Sequence, residues 1–121
     1  MNGRSLLGHA AEGLACELLA GKGYEIVERN YRCADGEIDI IARRGSLVVF
    51  CEVKARRTDF FGSPAEAVNH RKQARLRRLA GCWLSEARAR GFAPGAEVRF
   101  DVVSVIVTGG RAEATHIPDA F

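Results

Sequence analysis

The stretch GEIDIIARRGSLVVFCEVK, running from Gly36 to Lys54, decides how the rest of the chain is read. Two alternating runs flank the polar segment Arg43-Arg44-Gly45-Ser46, the pattern of a β-hairpin. Successive side chains on a strand point to opposite faces. Ile38, Ile40 and Ala42 are therefore expected on one face of the first strand, with Glu37, Asp39 and Ile41 on the other. On the second strand Leu47, Val49, Cys51 and Val53 share a face, opposite Val48, Phe50, Glu52 and Lys54. A tight turn centred on Arg44-Gly45 pairs Asp39 with Phe50 and Glu37 with Glu52, leaving Glu52 diagonal to Asp39 and within side-chain reach. The hairpin thus predicts one apolar face and one face that gathers carboxylates and an amine.

Working outward, residues from about Ser5 to Lys22 read as a helix with Gly23 as its stop. Leu6, Leu7, Ala10, Ala11, Leu14, Ala15 and Leu18 form its apolar stripe, and Glu12 and Glu17 fall on the stripe's edges. Tyr24 to Arg32 is expected to be a strand that turns through Cys33-Ala34-Asp35-Gly36 into the hairpin. Past Lys54, the basic run from Ala55 to Gly62 reads as an irregular loop able to close over a ligand. Ser63-Pro64-Ala65-Glu66 has capping-box spacing, and Asn69 is a second N-cap candidate. A main helix is predicted over His70 to Arg90, with Leu76, Leu79, Ala80, Trp83, Leu84 and Ala87 inward and Arg71, Arg75 and Arg78 outward. Lys72 falls inside the apolar arc and is expected to point at the sheet, with Gln73 near the arc's other edge. Ala96 to Val107 and Arg111 to Ile117 read as the last strands. Asp101 is expected to be structural, paired with a basic side chain. The order α-β-β-β-α-β-β predicts a single α/β domain over residues 1–121, a mixed sheet flanked by helices.

At 121 residues with 47% hydrophobic and 27% charged composition, the chain can bury one sizeable core. Its formal net charge of +3 permits a nucleic-acid partner without requiring one. Cys16, Cys33, Cys51 and Cys82 form no CxxC pair and the three histidines are scattered, which argues against zinc. No signal-peptide core or membrane span is apparent, so a cytoplasmic protein with reduced thiols is expected, with no membrane or small-molecule cofactor as partner.

Oxygen ligands from Asp39 and Glu52 suit a hard divalent cation, Mg²⁺ or Mn²⁺, which would relieve the repulsion between them. Lys54, two positions on, would orient a nucleophilic water and stabilise developing negative charge on a phosphate. The competing reading is a half-exposed hairpin carrying ordinary cross-strand ion pairs. The hairpin alone leaves both open.

Asp39 followed by Glu52-Val53-Lys54 resembles the D…(D/E)xK signature of the restriction-endonuclease-like, or PD-(D/E)xK, nucleases. The blocks Gly8…Glu12…Ala15, Arg29-Asn30-Tyr31-Arg32, Gly36 to Ile41, Val49 to Arg56, Phe61-Gly62, Ala67-Val68, Arg71-Lys72-Gln73, Arg99 to Val102 and His116-Ile117-Pro118…Ala120-Phe121 are similar to those of the YraN, or UPF0102, family. The resemblance implies a restriction-endonuclease-like fold and a metal-dependent nuclease acting on DNA, including branched or structured DNA. It implies Asp39, Glu52 and the Val53 backbone carbonyl as metal ligands, and Lys54 as the residue that positions water. Glu12 would reach the site from the first helix, either for a metal-bound water or for a second ion. Glu37 is either a support to the site or a surface carboxylate. Arg56, Arg57, Lys72 and Gln73 are candidates for holding the phosphodiester backbone. The Holliday-junction-resolvase-like members of these nucleases, which carry an additional N-terminal acidic residue as Glu12 does here, imply a homodimer. A nucleic-acid-binding module with little or no hydrolysis, and a purely structural protein, are the alternatives.

Overall fold

The computed structural model describes residues 6–34, 36–57, 68–91 and 97–121. Among the described residues two helices and five strands follow in the expected order: α1 (Leu6–Gly21), β1 (Glu25–Cys33), β2 (Gly36–Arg44), β3 (Leu47–Arg56), α2 (His70–Ala89), β4 (Glu97–Thr108) and β5 (Arg111–Ile117). Helix α1 stops where Gly23 takes φ 92°. The Tyr24 amide then reaches back to the Leu19 carbonyl at 3.1 Å and the Gly23 amide to Ala20 at 3.0 Å. These two bonds satisfy carbonyls that the helix end leaves open. Helix α2 starts at Asn69, whose side chain accepts the Lys72 amide at 2.9 Å. The Ser63-Pro64-Ala65-Glu66 capping box and the loop over Thr58 to Gly62 lie outside the described residues.

The sheet runs β1-β2-β3-β4-β5. Only β3 and β4 pair in parallel, and α2 lies between them in sequence because parallel neighbours need a long crossover. Each helix covers one face of the sheet. Ala11, Ala15 and Leu19 of α1 pack with Ile40, Ala42, Val49, Cys51, Val103 and Val105. Leu76, Leu79, Ala80 and Trp83 of α2 pack with Ile41, Val48, Phe50, Phe100 and Val102. The chain end is docked on this second layer. Ala120 donates to the Phe100 carbonyl at 2.8 Å, and Phe121 stacks on Phe100 at 5.4 Å between ring centroids.

Several expectations about the central hairpin need correction. Arg44 is the last residue of β2 and pairs with Leu47, so the turn is Gly45-Ser46, with Gly45 at φ 61°. The register moves by two residues, pairing Ile41 rather than Asp39 with Phe50. A shift of two preserves every face but changes every partner. Val48, Phe50 and Ile41 share the face of Glu52, as expected, and are buried under α2. Glu37 does not pair with Glu52; it faces Arg32 on β1, 3.9 Å from its Nε. Ala55 and Arg56 continue β3 against Val105 and Ile106 instead of entering a loop. On α1, Ala10 is exposed and Glu12 is buried.

Alternation also fails at one point that matters for the site. Ile40 lies in the α1-side layer, whereas Ile38 joins the α2-side layer. On β1, Arg29 opposes Ile40 and Tyr31 opposes Ile38. Asn30 between them has φ 54°, a left-handed conformation that asparagine tolerates better than most residues. The paired strands therefore change face together around Asn30 and Asp39.

Candidate active site

Past the Ile40–Cys51 pair the β2–β3 ladder ends, although both strands continue in their other pairings. In the gap the Asp39 carboxylate accepts the Val53 amide at 2.8 Å, standing in for a strand carbonyl. A residue on a strand turns its N–H and C=O to the same side. The Val53 carbonyl therefore faces the gap as well.

Glu52 and Lys54 lie on the α2 side, in a row that Arg56 continues along β3. The Glu52 side chain is 8% exposed, and its Oε2 carries a direct ion pair with Lys72 Nζ. Lys54 Nζ lies 3.8 Å from the same oxygen. Lys72 thus points at the sheet from the first turn of α2, as its helical angle predicts. Burial, and then the nearby Lys72 ammonium, lower the Lys54 pKa from its ordinary value against the pull of Glu52 and Asp39. For Lys72 burial works downward, but Glu52, with Lys54 and Asp39, outweighs it and the net shift is upward.

Glu12 comes from the other face of the sheet. It is only 1% exposed, with Arg29 Nη2 at 3.8 Å. With Leu7, Gly8 and Ala11 it lines a cleft of about 250 Å³ whose opposite wall is Val53, Lys54 and Ala55. The structure therefore brings Asp39, Glu52, Lys54 and Lys72 into one cluster, and sets Glu12 across a cleft from the Val53-Lys54 segment. Arg56 is half-buried and Arg57 sits exposed just past the strand. Gln73 braces the helix start, its Nε2 donating to the Val68 carbonyl at 2.9 Å. A larger cleft of about 510 Å³ lies away from the carboxylates, between Val27, Glu28 and Arg43 and the Trp83 to Gly91 end of α2. Its residues carry no comparable cluster of acid and amine.

Ser104 belongs to this neighbourhood and nothing in the sequence singled it out. It pairs with Lys54 across the parallel β3–β4 ladder and is 2% exposed. Among the described residues its Oγ has no hydrogen-bond partner. A buried hydroxyl in that state costs about 1–3 kcal/mol unless water or a ligand satisfies it. A lone serine in VVSVIV reads as core filler, and only the parallel register sets it beside Lys54. Asp101, by contrast, is structural as expected, bound by both Arg99 Nε at 2.8 Å and Arg99 Nη2 at 2.7 Å.

These features define an α/β protein with a five-stranded mixed sheet between two helices and an acid–amine cluster where its central hairpin opens. The chain belongs to the family described as uncharacterised protein family UPF0102, whose sequence model matches residues 11–105. It is 48% identical over 120 residues to a UPF0102 protein of Beutenbergia cavernae, covering 97% of each chain. A UPF0102 protein of Streptomyces griseus is 49% identical over 116 residues, with 96% of this chain and 95% of the relative covered. One from Frankia casuarinae is 44% identical over 124 residues, covering both chains completely. No described helix is long and apolar enough to cross a membrane.

Proposed function

We propose that this chain is a metal-dependent nuclease of the PD-(D/E)xK class that hydrolyses phosphodiester bonds in DNA. The observation that carries the reading is the opening of the β2–β3 ladder past Ile40–Cys51, with Asp39, Glu52 and Lys54 gathered at it. Two carboxylates at an opened ladder offer hard oxygen donors, and an amine beside them matches the needs of phosphate chemistry.

The donor atoms fit a hard cation, since Asp39, Glu52 and the Val53 carbonyl offer only oxygen. Among the described residues no group of three or more His, Cys, Asp or Glu side chains is placed to hold a metal. A cation here would have to complete its coordination with a backbone oxygen and with water, which Mg²⁺ retains in large number. Mg²⁺ or Mn²⁺ held there would supply Lewis acidity and offset charge at the phosphate. Lys54 orients the attacking water and stabilises negative charge as it develops. Its lowered pKa also makes the neutral amine, the form able to accept a proton, more accessible than in an ordinary lysine. Glu12 holds a water or a second cation on the α1 side of the cleft. Arg56, Arg57 and Lys72 hold the phosphodiester backbone, while Gln73 acts mainly through its brace on Val68. One such site cuts one strand, so symmetric cleavage of branched DNA requires two copies of the chain.

The test compares wild type with Glu52→Ala and Lys54→Ala on linear, nicked, flapped and four-way-junction DNA, with Mg²⁺, Mn²⁺ or EDTA. Cleavage that disappears in EDTA and in both variants supports the proposal and identifies the substrate. Equal cleavage by all three proteins refutes the site. Binding of DNA without cleavage by wild type favours a nucleic-acid-binding module. The ion pair that neutralises Glu52 through Lys72 is compatible with that second reading.

A further inference from the structure

We propose that Lys72 is an exchange residue: its ammonium holds Glu52 while no divalent cation is bound, and moves to a nucleic-acid phosphate when the cation takes Glu52. This inference rests on the nuclease reading and adds a step that the ligand set alone does not contain.

Two ammonium groups crowd one carboxylate oxygen. Lys72 Nζ is in direct contact with Glu52 Oε2, and Lys54 Nζ stands 3.8 Å from it. Glu52 is nearly buried, so solvent screens these charges poorly. A dication bound to the same oxygen would face an ammonium at contact distance, and their repulsion drives one of them away. Lys72 is the one that leaves, because it occupies the contact position while Lys54 already stands back. Its side chain is 25% exposed and ends a flexible four-carbon stem, so a path outward is open.

The base of that stem is fixed. Asn69 Oδ1 accepts the Lys72 amide at 2.9 Å, and the Asn69 carbonyl accepts the Gln73 amide at 2.9 Å. Gln73 Nε2 ties the same turn to Val68. An ammonium released from a fixed pivot stays within one side-chain length of Glu52, where a scissile phosphate must lie. Without a cation, Lys72 neutralises a carboxylate that would otherwise be buried beside Asp39 with less compensation. The same contact lowers cation affinity, because binding must first displace the lysine.

The test measures Mn²⁺ binding to the full chain by the electron paramagnetic resonance signal of free Mn²⁺. Wild type, Lys72→Ala, Lys72→Gln, Arg71→Ala and Glu52→Ala are compared, each checked for folding by near-ultraviolet circular dichroism. Exchange predicts that both Lys72 variants bind Mn²⁺ about 5–10-fold tighter than wild type. Arg71→Ala, which removes the same charge from an exposed neighbour, should stay within about twofold. In Ca²⁺ the Lys72 variants should also bind labelled junction DNA more weakly, so the two affinities move in opposite directions. Equal tightening in Lys72→Ala and Arg71→Ala overturns the proposal, since that is a general charge effect. Unchanged Mn²⁺ affinity in the Lys72 variants, with weakened affinity in Glu52→Ala, overturns exchange and leaves the metal site standing. Unchanged affinity in Glu52→Ala overturns exchange together with the metal site on which it depends.

Discussion

Replacing Asp101 with Asn should strike the stability of the fold and leave the carboxylate cluster in place. Asp101 is 0% exposed in the middle of β4. Besides Arg99, its Oδ2 meets His116 Nε2 at 2.6 Å and its Oδ1 accepts the Asp119 amide at 3.0 Å. Lys22 Nζ, which can only donate, lies 3.1 Å from His116 Nδ1. The ring contact with Asp101 is then through His116 Nε2, which faces the carboxylate. The carboxylate ties β4 to β5, the chain end and the residue that follows α1. Removing one partner of a buried ion pair costs about 3–5 kcal/mol, because the other charge is stranded. The Arg99 side chain is partly exposed, so water recovers some of this and about 3 kcal/mol is expected. With an unfolding entropy of roughly 2.1 cal/mol/K per residue, that corresponds to a Tm lower by about 12 °C. Urea denaturation should agree, with an unchanged slope. Burial raises the Asp101 pKa, but Arg99, the Asp119 amide and His116 outweigh it and the net shift is downward. Its stabilisation is thus fully present above the ordinary aspartate pKa and is lost as pH falls through the lower folded value. The difference between wild type and Asp101→Asn should close on acidification. A loss below about 0.5 kcal/mol at neutral pH refutes the view that this network holds the layers together.

Lys54→Met should abolish cleavage while raising stability by about 1 kcal/mol, because the lysine's surroundings disfavour its charge. The penalty in wild type is present below the lowered folded pKa and fades as pH rises through it, so the gain should shrink at alkaline pH; a destabilised Lys54→Met refutes this. The same substitution at two glycines should act with opposite signs in thermal unfolding. Gly36 has φ 143°, so Gly36→Ala should cost about 1–3 kcal/mol even though the added Cβ meets only ordinary contacts with Arg75 and Leu79. Gly81 is exposed within α2 with nothing within 4 Å of an added Cβ, so Gly81→Ala should gain about 1 kcal/mol.

Much of the fold is legible locally. The limits of β5 and the N-cap of α2 follow from turn glycines, Asn69 and the change from one hydrophobic period to the other. The inward angle of Lys72 follows from the helical repeat, and the buried pairing of Asp101 from a charge inside a valine-rich strand. Glu12 is less legible, because a carboxylate on a stripe edge reads as solvated until the sheet is placed over it. Ala55 and Arg56 read as loop because they are basic and small, yet the β4 ladder extends far enough to hold them as strand.

The amino-acid sequence by itself determined the element order, the α/β class, and the shared face of Glu52 and Lys54, since these depend on periods of 2 and 3.6 along the chain. Only the tertiary structure decided the two-residue register, the change of face at Asn30 and Asp39, the ion pair between Lys72 and Glu52, and the parallel neighbour Ser104. All but the register depend on which distant backbone lies alongside. The register is set at the Gly45-Ser46 turn, and a shift by an even number of residues keeps the alternation of faces intact while exchanging every partner, so hydrophobic periodicity cannot report it.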